Sequence, residues 1–202
     1  MLIGICGGSG SGKTTVARKL VESLGEGQTV VLTQDSYYRD YPTLSLEERA
    51  AINFDHPDSV DFELLIEQVR ALQRHQPVEC PEYDFSCHRR SRSTQKLEPR
   101  PLIIVEGILI FHDSGLRDLF DLKVFVDTGA DLRFIRRMRR DVRDRGRTVE
   151  SVVEQYLRTV RPMHLKYVEP GKELAEIVLL EGGKDPSGID RVVQWIHSHS
   201  TS

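Results

Sequence analysis

Lys13 and Thr14 end the stretch Gly7-x-x-x-x-Gly12-Lys13-Thr14, a spacing suited to binding a nucleoside triphosphate. The glycines let backbone N–H groups turn inward toward phosphate oxygens. A helix beginning near Lys13 aims the positive end of its dipole at the same anion. Gly7, Gly8, Ser9, Gly10, Ser11, Gly12, Lys13, Thr14 and Thr15 are therefore the candidate cradle, with Lys13 reaching the β- and γ-phosphates and Thr14 holding Mg2+. A glycine-rich turn with a chance lysine is the alternative, but an apolar strand pattern precedes the loop and a helical pattern follows it.

Magnesium needs a further oxygen donor near Thr14, and phosphoryl transfer needs a group to take the acceptor hydroxyl's proton. Glu106 directly follows the apolar run Leu102–Val105, so it ends a strand expected to be buried beside the triphosphate. The alternative is a strand-end glutamate facing solvent. Asp35 lies just past the end of a second such strand and faces the same crevice, as catalytic base and a further oxygen toward the metal. An Asx-type turn or an N-cap carboxylate is the competing reading.

A GTPase reads guanine with Asn-Lys-x-Asp, which this chain cannot supply, because its single asparagine, Asn53, precedes Phe54. Asp185-x-x-Gly188 matches a switch pattern but follows the last expected strand, and is read as chance. A motor would normally be larger. Transfer of the phosphoryl group to a bound acceptor remains, and it requires cations. Eight of the fifteen residues from Arg133 to Arg147 are arginine, offset only by Asp141 and Asp144. Such a run is either a solvated or nucleic-acid-binding face, or a lid over residues 131–148 that closes on the triphosphate and excludes water. The phosphate loop favours the lid, with Arg133, Arg136 and Arg143 expected to face solvent.

The elements that must position these groups alternate. Leu2–Cys6, Thr29–Thr33, Leu102–Val105, Leu122–Val126 and Ile177–Leu180 read as strands buried on both faces. Lys13–Leu24 reads as a helix closed by Gly25, and Phe62, Leu65, Ile66, Val69 and Leu72 form one stripe of another. Leu132, Ile135, Met138 and Val142 predict a third helix with a narrow apolar seam; residues 149–168 and Ile189–Ile196 predict two more. Strand–helix alternation implies an α/β fold, a parallel sheet covered by helices, with its ligand beyond the carboxyl ends of the strands. Residues 77–98, containing Pro77 and Pro81, break the rhythm as a small hairpin insertion.

With 202 residues the chain is expected to be a single domain, 1–202. A net charge of -3 argues against a general nucleic-acid or membrane binder. Cys6, Cys80 and Cys87 are odd in number and lack CxxC spacing, so free thiols in a reducing cytosol are expected. Neither a basic-then-apolar leader nor an apolar run of about 18 residues is found. A cytoplasmic enzyme or switch is the class implied.

Six fragments, "QDSYYRD", "NFDHPDSVD", "YDFSCHRR", "VEGILIF", "FVDTGADLRFIRRMRRDVRDRGR" and "QYLRTVRPMH", resemble uridine–cytidine kinases in the same order along nearly the whole chain. The resemblance implies a P-loop kinase three-layer fold: a five-stranded parallel sheet with helices on both faces, a hairpin insertion and an arginine-rich lid. It implies transfer from ATP or GTP, with Mg2+, to the 5′-hydroxyl of uridine and cytidine, by a cytoplasmic homotetramer with no nucleic-acid or membrane partner. Asp55 matches the carboxylate that accepts from the ribose 2′- and 3′-hydroxyls, with Phe54 before it and Arg137 its partner at the ribose. Tyr83, Phe85 and His88 match the base pocket, and Arg147 and Gln155 further groups around the base. Arg140 and Arg145 match catalytic lid arginines beside Lys13 and Asp35, and Tyr38 a neighbour of the acceptor. From the residues alone, Tyr83 and Phe85 read as core aromatics and His88 as a surface residue.

Gly129 stands where the family usually carries Asp, a loop variation beyond the strand, and "VEPGKE" and "LLEGGKDPSG" depart near the donor base. One competing reading is a related phosphate-loop kinase such as phosphoribulokinase, whose acceptor carries a phosphate and no base. Another is a nucleotide-dependent module that holds RNA with its arginine helix.

Overall fold

The protein is described by a computed structural model covering residues 1–180, 183 and 186–200. Strands β1 (Leu2–Cys6), β2 (Thr29–Thr33), β5 (Leu102–Gly107), β6 (Leu122–Asp127) and β7 (Ile177–Leu180) form one sheet in the order β2-β5-β1-β6-β7. All its pairings are parallel. The remaining strands, β3 (Val78–Asp84) and β4 (Arg89–Leu97), make the separate antiparallel hairpin expected for residues 77–98. The helices in chain order are α1 (Lys13–Leu24), α2 (Leu46–Ala50), α3 (Phe62–Gln73), α4 (Ser114–Arg117), α5 (Ala130–Arg145), α6 (Val149–Gln155), α7 (Arg161–Met163) and α8 (Pro186–His199).

Each face of the sheet has its own apolar layer. Ile3 and Ile5 of β1 pack with Val16 and Leu20 of α1 and Val192 and Ile196 of α8. Leu2 and Cys6 point the other way, toward Leu65, Val69 and Leu72 of α3 and toward Phe111 and Phe120. Burying each such aliphatic side chain contributes roughly 1.5–3 kcal/mol, so the two layers make the sheet a rigid base. Gly4 is needed where it stands, because a Cβ there would come within 2.7 Å of the Phe111 ring.

Because β1 pairs with β5 on one side and β6 on the other, chain connections diverge at its carboxyl end and leave a crevice there. The register sets Glu106 opposite both Ile5 and Thr33. The loop after β1, Glu106 and the turn after β2 thus meet at one edge.

Two expectations need correction. On α5 the seam faces outward: Leu132, Ile135 and Val142 are 40%, 38% and 38% exposed, whereas Asp141 is 0% and Arg133 and Arg137 are 8% exposed. Helical spacing was read correctly, but the helix lies against a polar crevice, which its charged face satisfies. Residues 149–168 are not one uniform helix. Wide π turns over Tyr156–Val160 and His164–Val168 flank α7, whose Pro162 has no N–H to donate. Asp185, and with it the Asp185-x-x-Gly188 match and part of the segment after β7, lies outside the described residues.

Candidate active site

A cleft of about 550 Å³ opens at the carboxyl ends of β1, β5 and β2, under α5 and beside the hairpin. The main chain builds its floor. Gly10 and Gly12 have φ of +80° and +103°, a left-handed conformation that favours glycine. Ser11 N donates to Gly8 O at 3.0 Å, closing the turn. Ser9, Gly10, Gly12, Lys13, Thr14 and Thr15 line the cleft. Gly7, Gly8 and Ser11 do not: Gly7 backs onto Val126 O, Gly8 onto the Arg133 side chain, and Ser11 is fully buried.

Thr14 Oγ1 donates to Glu106 Oε1 at 2.8 Å, so strand β5 and helix α1 bring those oxygens together. Burial, and less strongly the nearby Asp35 carboxylate, raise the Glu106 pKa, while Lys13 and the Thr14 hydroxyl oppose that rise. Two carboxylates and a hydroxyl on one wall are an oxygen-only set that fits Mg2+, an ion that keeps several waters. Among the described residues no group of three His, Cys, Asp or Glu side chains is arranged to hold a metal ion.

Asp35 sits in the single turn Gln34–Tyr37 after β2 and accepts from Tyr38 Oη at 3.3 Å. Tyr38 is buried, and burial followed by the Asp35 and Asp55 carboxylates raises its pKa well above the usual value. Asp55 is 8% exposed, and burial likewise raises its pKa against the opposing charge of Arg137.

Beyond it the aromatic side chains gather. Tyr38 packs edge-on to Phe54 and Tyr83, with centroids 5.1 and 5.3 Å apart, and His88 stacks on Phe54 at 5.5 Å. His88 adopts φ +51° in the hairpin turn, where Arg49 Nε holds the preceding Cys87 carbonyl at 3.0 Å. Tyr83 and Phe85 pack on the core and line the cleft at once, so core and pocket readings both apply to them.

The arginines close the other side. Arg137 donates to Ser9 Oγ and to Gln155 Oε1, each at 3.0 Å, and Arg147 also reaches that Gln155 oxygen. Arg145 lies over the Phe85 ring at 4.2 Å. Desolvation lowers the pKa of Arg145 and of Arg147, with neighbouring guanidinium charge adding to the effect.

Arg143 is exposed and pairs with Asp144, as expected, but Arg133 and Arg136 do not face solvent. Arg133 Nε donates to Thr128 O at 2.9 Å beneath the phosphate loop, and Arg136 Nη1 reaches Ser11 O at 3.3 Å and Gly10 O at 3.4 Å. Loop carbonyls pointing away from an anion leave acceptors that nearby arginines satisfy.

Sequence reasoning also missed Asp141, which is fully buried among Arg137, Arg140, Arg145 and Arg147. The spacing Arg137-x-x-x-Asp141-x-x-x-Arg145 was its signal, since residues four apart meet on a helix. His164 was missed as well. Its Nε2 lies 2.8 Å from Glu169 Oε2 and 3.1 Å from Arg133 Nη2, behind Gly8; it ends the fragment QYLRTVRPMH, which carries the resemblance without assigning His164 a role. Gly129 is the N-cap of α5 and provides no side-chain cap there.

Residues 2–185 match the family described as Phosphoribulokinase / Uridine kinase. A uridine kinase of Chloroflexus aurantiacus is 51% identical over 198 residues, covering 98% of this chain and 95% of that protein. One of Halalkalibacterium halodurans is 49% identical, covering 98% and 94%. Phosphoribulokinase from Rhodobacter spheroides has a similar fold, with TM-score 0.66 at 16% identity, covering 89% of this chain and 69% of that one. D-glycerate 3-kinase from Cryptococcus neoformans has TM-score 0.63 at 15% identity, covering 91% and 86%.

Proposed function

We propose, from the premise that this chain belongs to the phosphoribulokinase / uridine kinase family, that it phosphorylates the 5′-hydroxyl of uridine and cytidine. ATP or GTP would be the donor, and UMP and CMP the products. The observation that carries the reading is one cleft lined by both the phosphate loop and an aromatic pocket beside the buried Asp55. A phosphorylated sugar without a base would have no use for the ring cluster of Phe54, Tyr83 and His88.

In this reading the loop N–H groups and Lys13 bind the triphosphate, and Thr14, Glu106 and Asp35 would hold Mg2+. When bound, the ion neutralises phosphate charge and orients the transferring group. Asp55 accepts from the ribose diol, and a 2′-deoxyribose would leave part of that buried carboxylate unpaired. Phe54, Tyr83, Phe85 and His88 enclose the pyrimidine, with Arg147 and Gln155 at its edge. Asp35 orients the 5′-hydroxyl and takes its proton late, because phosphoryl transfer has a loose transition state. Arg140 and Arg145 stabilise the charge on the migrating group.

Family resemblance further supports a cytoplasmic homotetramer without nucleic-acid or membrane partners. Among the described residues no helix is long and apolar enough to cross a membrane, and Cys6, Cys80 and Cys87 are free thiols. Sedimentation of the purified protein checks the assembly.

The test of activity is incubation with Mg-ATP or Mg-GTP and a panel of ribonucleosides, 2′-deoxyribonucleosides and ribulose 5-phosphate. UMP and CMP are the expected products, with the deoxy analogues poor substrates. Turnover of ribulose 5-phosphate alone, or salt-dependent retention of RNA without any turnover, overturns the reading.

A further inference from the structure

We propose that Asp141 is a positioning residue for phosphoryl transfer, a buried shared counter-ion that holds the donor-side and acceptor-side arginines in register. The inference rests on the kinase reading above, in which the resemblance assigns Arg140 and Arg145 to the transferring group and Arg137 and Arg147 to the nucleoside; in the structure Arg137 also donates to Ser9 of the phosphate loop and Arg145 lies over the Phe85 ring.

Asp141 is 0% exposed and does not line the cleft, so it acts through other groups. Its two oxygens divide the arginines between them. Oδ1 is 2.9 Å from Arg140 Nη2 and 3.5 Å from Arg145 Nη1. Oδ2 is 3.5 Å from Arg137 Nε and 3.8 Å from Arg147 Nη1. One carboxylate therefore spans both halves of the reaction.

Four guanidiniums on one wall repel one another, and the local remedy is a shared anion. Asp144, the other acid of the run, is exposed and paired with Arg143 away from the cleft. Asp141 keeps the four cations aimed inward before any phosphate arrives, and preorganised charge needs no rearrangement at the moment of transfer. The acceptor half of the contact is slack. Asp141 Oδ2 and Arg137 Nε are both buried without a hydrogen-bond partner although they lie 3.5 Å apart. Catalytic hydrogen bonds are often long without substrate and shorten in the complex. Nucleoside bound against Arg137 would tighten this half and, through the same carboxylate, set Arg140 and Arg145.

Asp141→Asn keeps the shape and removes the shared charge. In the full-length enzyme it is expected to lower kcat for uridine by about 10²-fold, as loss of transition-state charge stabilisation does. Circular dichroism should remain that of the wild type. The discriminating measurement is a double-mutant cycle. In an Arg140→Gln/Arg145→Gln background, adding Asp141→Asn should change kcat by less than about threefold, because the two arginines through which it acts on the transferring group are already gone and Arg137 and Arg147 bear on nucleoside KM. An equal fractional loss in both backgrounds would mean a merely structural role and overturn the proposal. So would an Asp141→Asn enzyme within about threefold of wild type. Should the Asn variant fail to fold, Asp141→Glu decides, since it keeps the charge and displaces it. A kcat at least about tenfold lower in the folded Glu variant supports positioning, and an unchanged kcat overturns it. Absence of uridine turnover by the wild type would instead defeat the kinase reading, and this inference with it.

Discussion

The phosphate loop and the arginine helix offer positive charge to the same cleft by opposite means. Where the loop lines the cleft, from Ser9 to Thr15, its shape comes from the main chain, with Gly10 and Gly12 at φ values other residues rarely adopt. Along α5 the groups presented are guanidiniums on long side chains, aimed by Asp141, Gln155 and Ser9. Main-chain recognition is intrinsic to a short motif. Side-chain recognition depends on what the helix packs against, so the same run of arginines could have made a solvated surface. The difference teaches that a charge-rich helix acquires its direction from its neighbours.

Removing Lys13, the loop cation proposed to meet the phosphates, should have the largest effect. Lys13→Ala is expected to lower kcat by roughly 10³–10⁵-fold, the range for a cation on a transferring phosphoryl group. Single-turnover assays on the folded variant check it, and near-normal activity would remove the loop from the comparison altogether.

Asp35→Asn keeps the size and a hydrogen-bonding oxygen while removing basicity. Turnover should fall roughly 10²–10⁴-fold, with calorimetric affinity for cytidine little changed. A rate within about threefold of wild type excludes Asp35 as the base. A parallel collapse of affinity would make it a binding or structural residue.

Asp55 probes the acceptor side that the arginines reach. Asp55→Ala should raise KM for uridine by roughly 10–100-fold and erode the preference for ribose over 2′-deoxyribose, the loss expected when a buried hydrogen-bonding group no longer meets its partner. Competition between uridine and 2′-deoxyuridine measures this, and unchanged discrimination would refute the diol role. The native enzyme carries a related pH signature. Burial raises the Asp55 pKa, so the carboxylate proposed to accept from the diol takes up its proton at higher pH than an ordinary aspartate near 3.9. KM for uridine should therefore rise as pH falls through that raised value, and a KM flat down to the ordinary aspartate range would contradict it.

The smallest effect should come from the outer face of α5. Arg143→Gln and Ile135→Thr alter side chains on the solvent side, and kcat is expected to stay within about twofold of wild type. A larger loss from Arg143→Gln would mean that the run acts as a diffuse field, and the contrast between its inner and outer faces would fail.

Much of the fold was legible because its signals are local. All five strands of the main sheet lie near their expected bounds, since strands covered on both faces must be continuously apolar, although the edge strand β7 leaves Leu180 62% exposed rather than buried. Lys13–Leu24 and its closing Gly25 matched to the residue. The hairpin was legible from two prolines that interrupt the rhythm. In the cleft, Asp35, Asp55, Glu106 and the aromatic pocket came together as expected, the pocket through family resemblance rather than through residue type. Arg133 and Arg136 depart from the solvent-facing expectation because helical periodicity sorts residues into faces without saying which face is buried. In the sequence Asp141 reads only as partial neutralisation of a basic run, although it is the residue most completely enclosed by that run.

By itself, the sequence determined the elements, their alternation and the anion-binding loop, because hydrophobic period, glycine placement and the Gly-Lys-Thr spacing act over a few residues. Only the tertiary structure decided which way α5 faces, that one buried carboxylate gathers four arginines, and that His164 backs the phosphate loop. Those outcomes depend on long-range neighbours. The inner face of α5 meets Ser9, the loop carbonyls and Gln155, so burying its guanidiniums satisfies donors and acceptors that an apolar seam would have left unpaired.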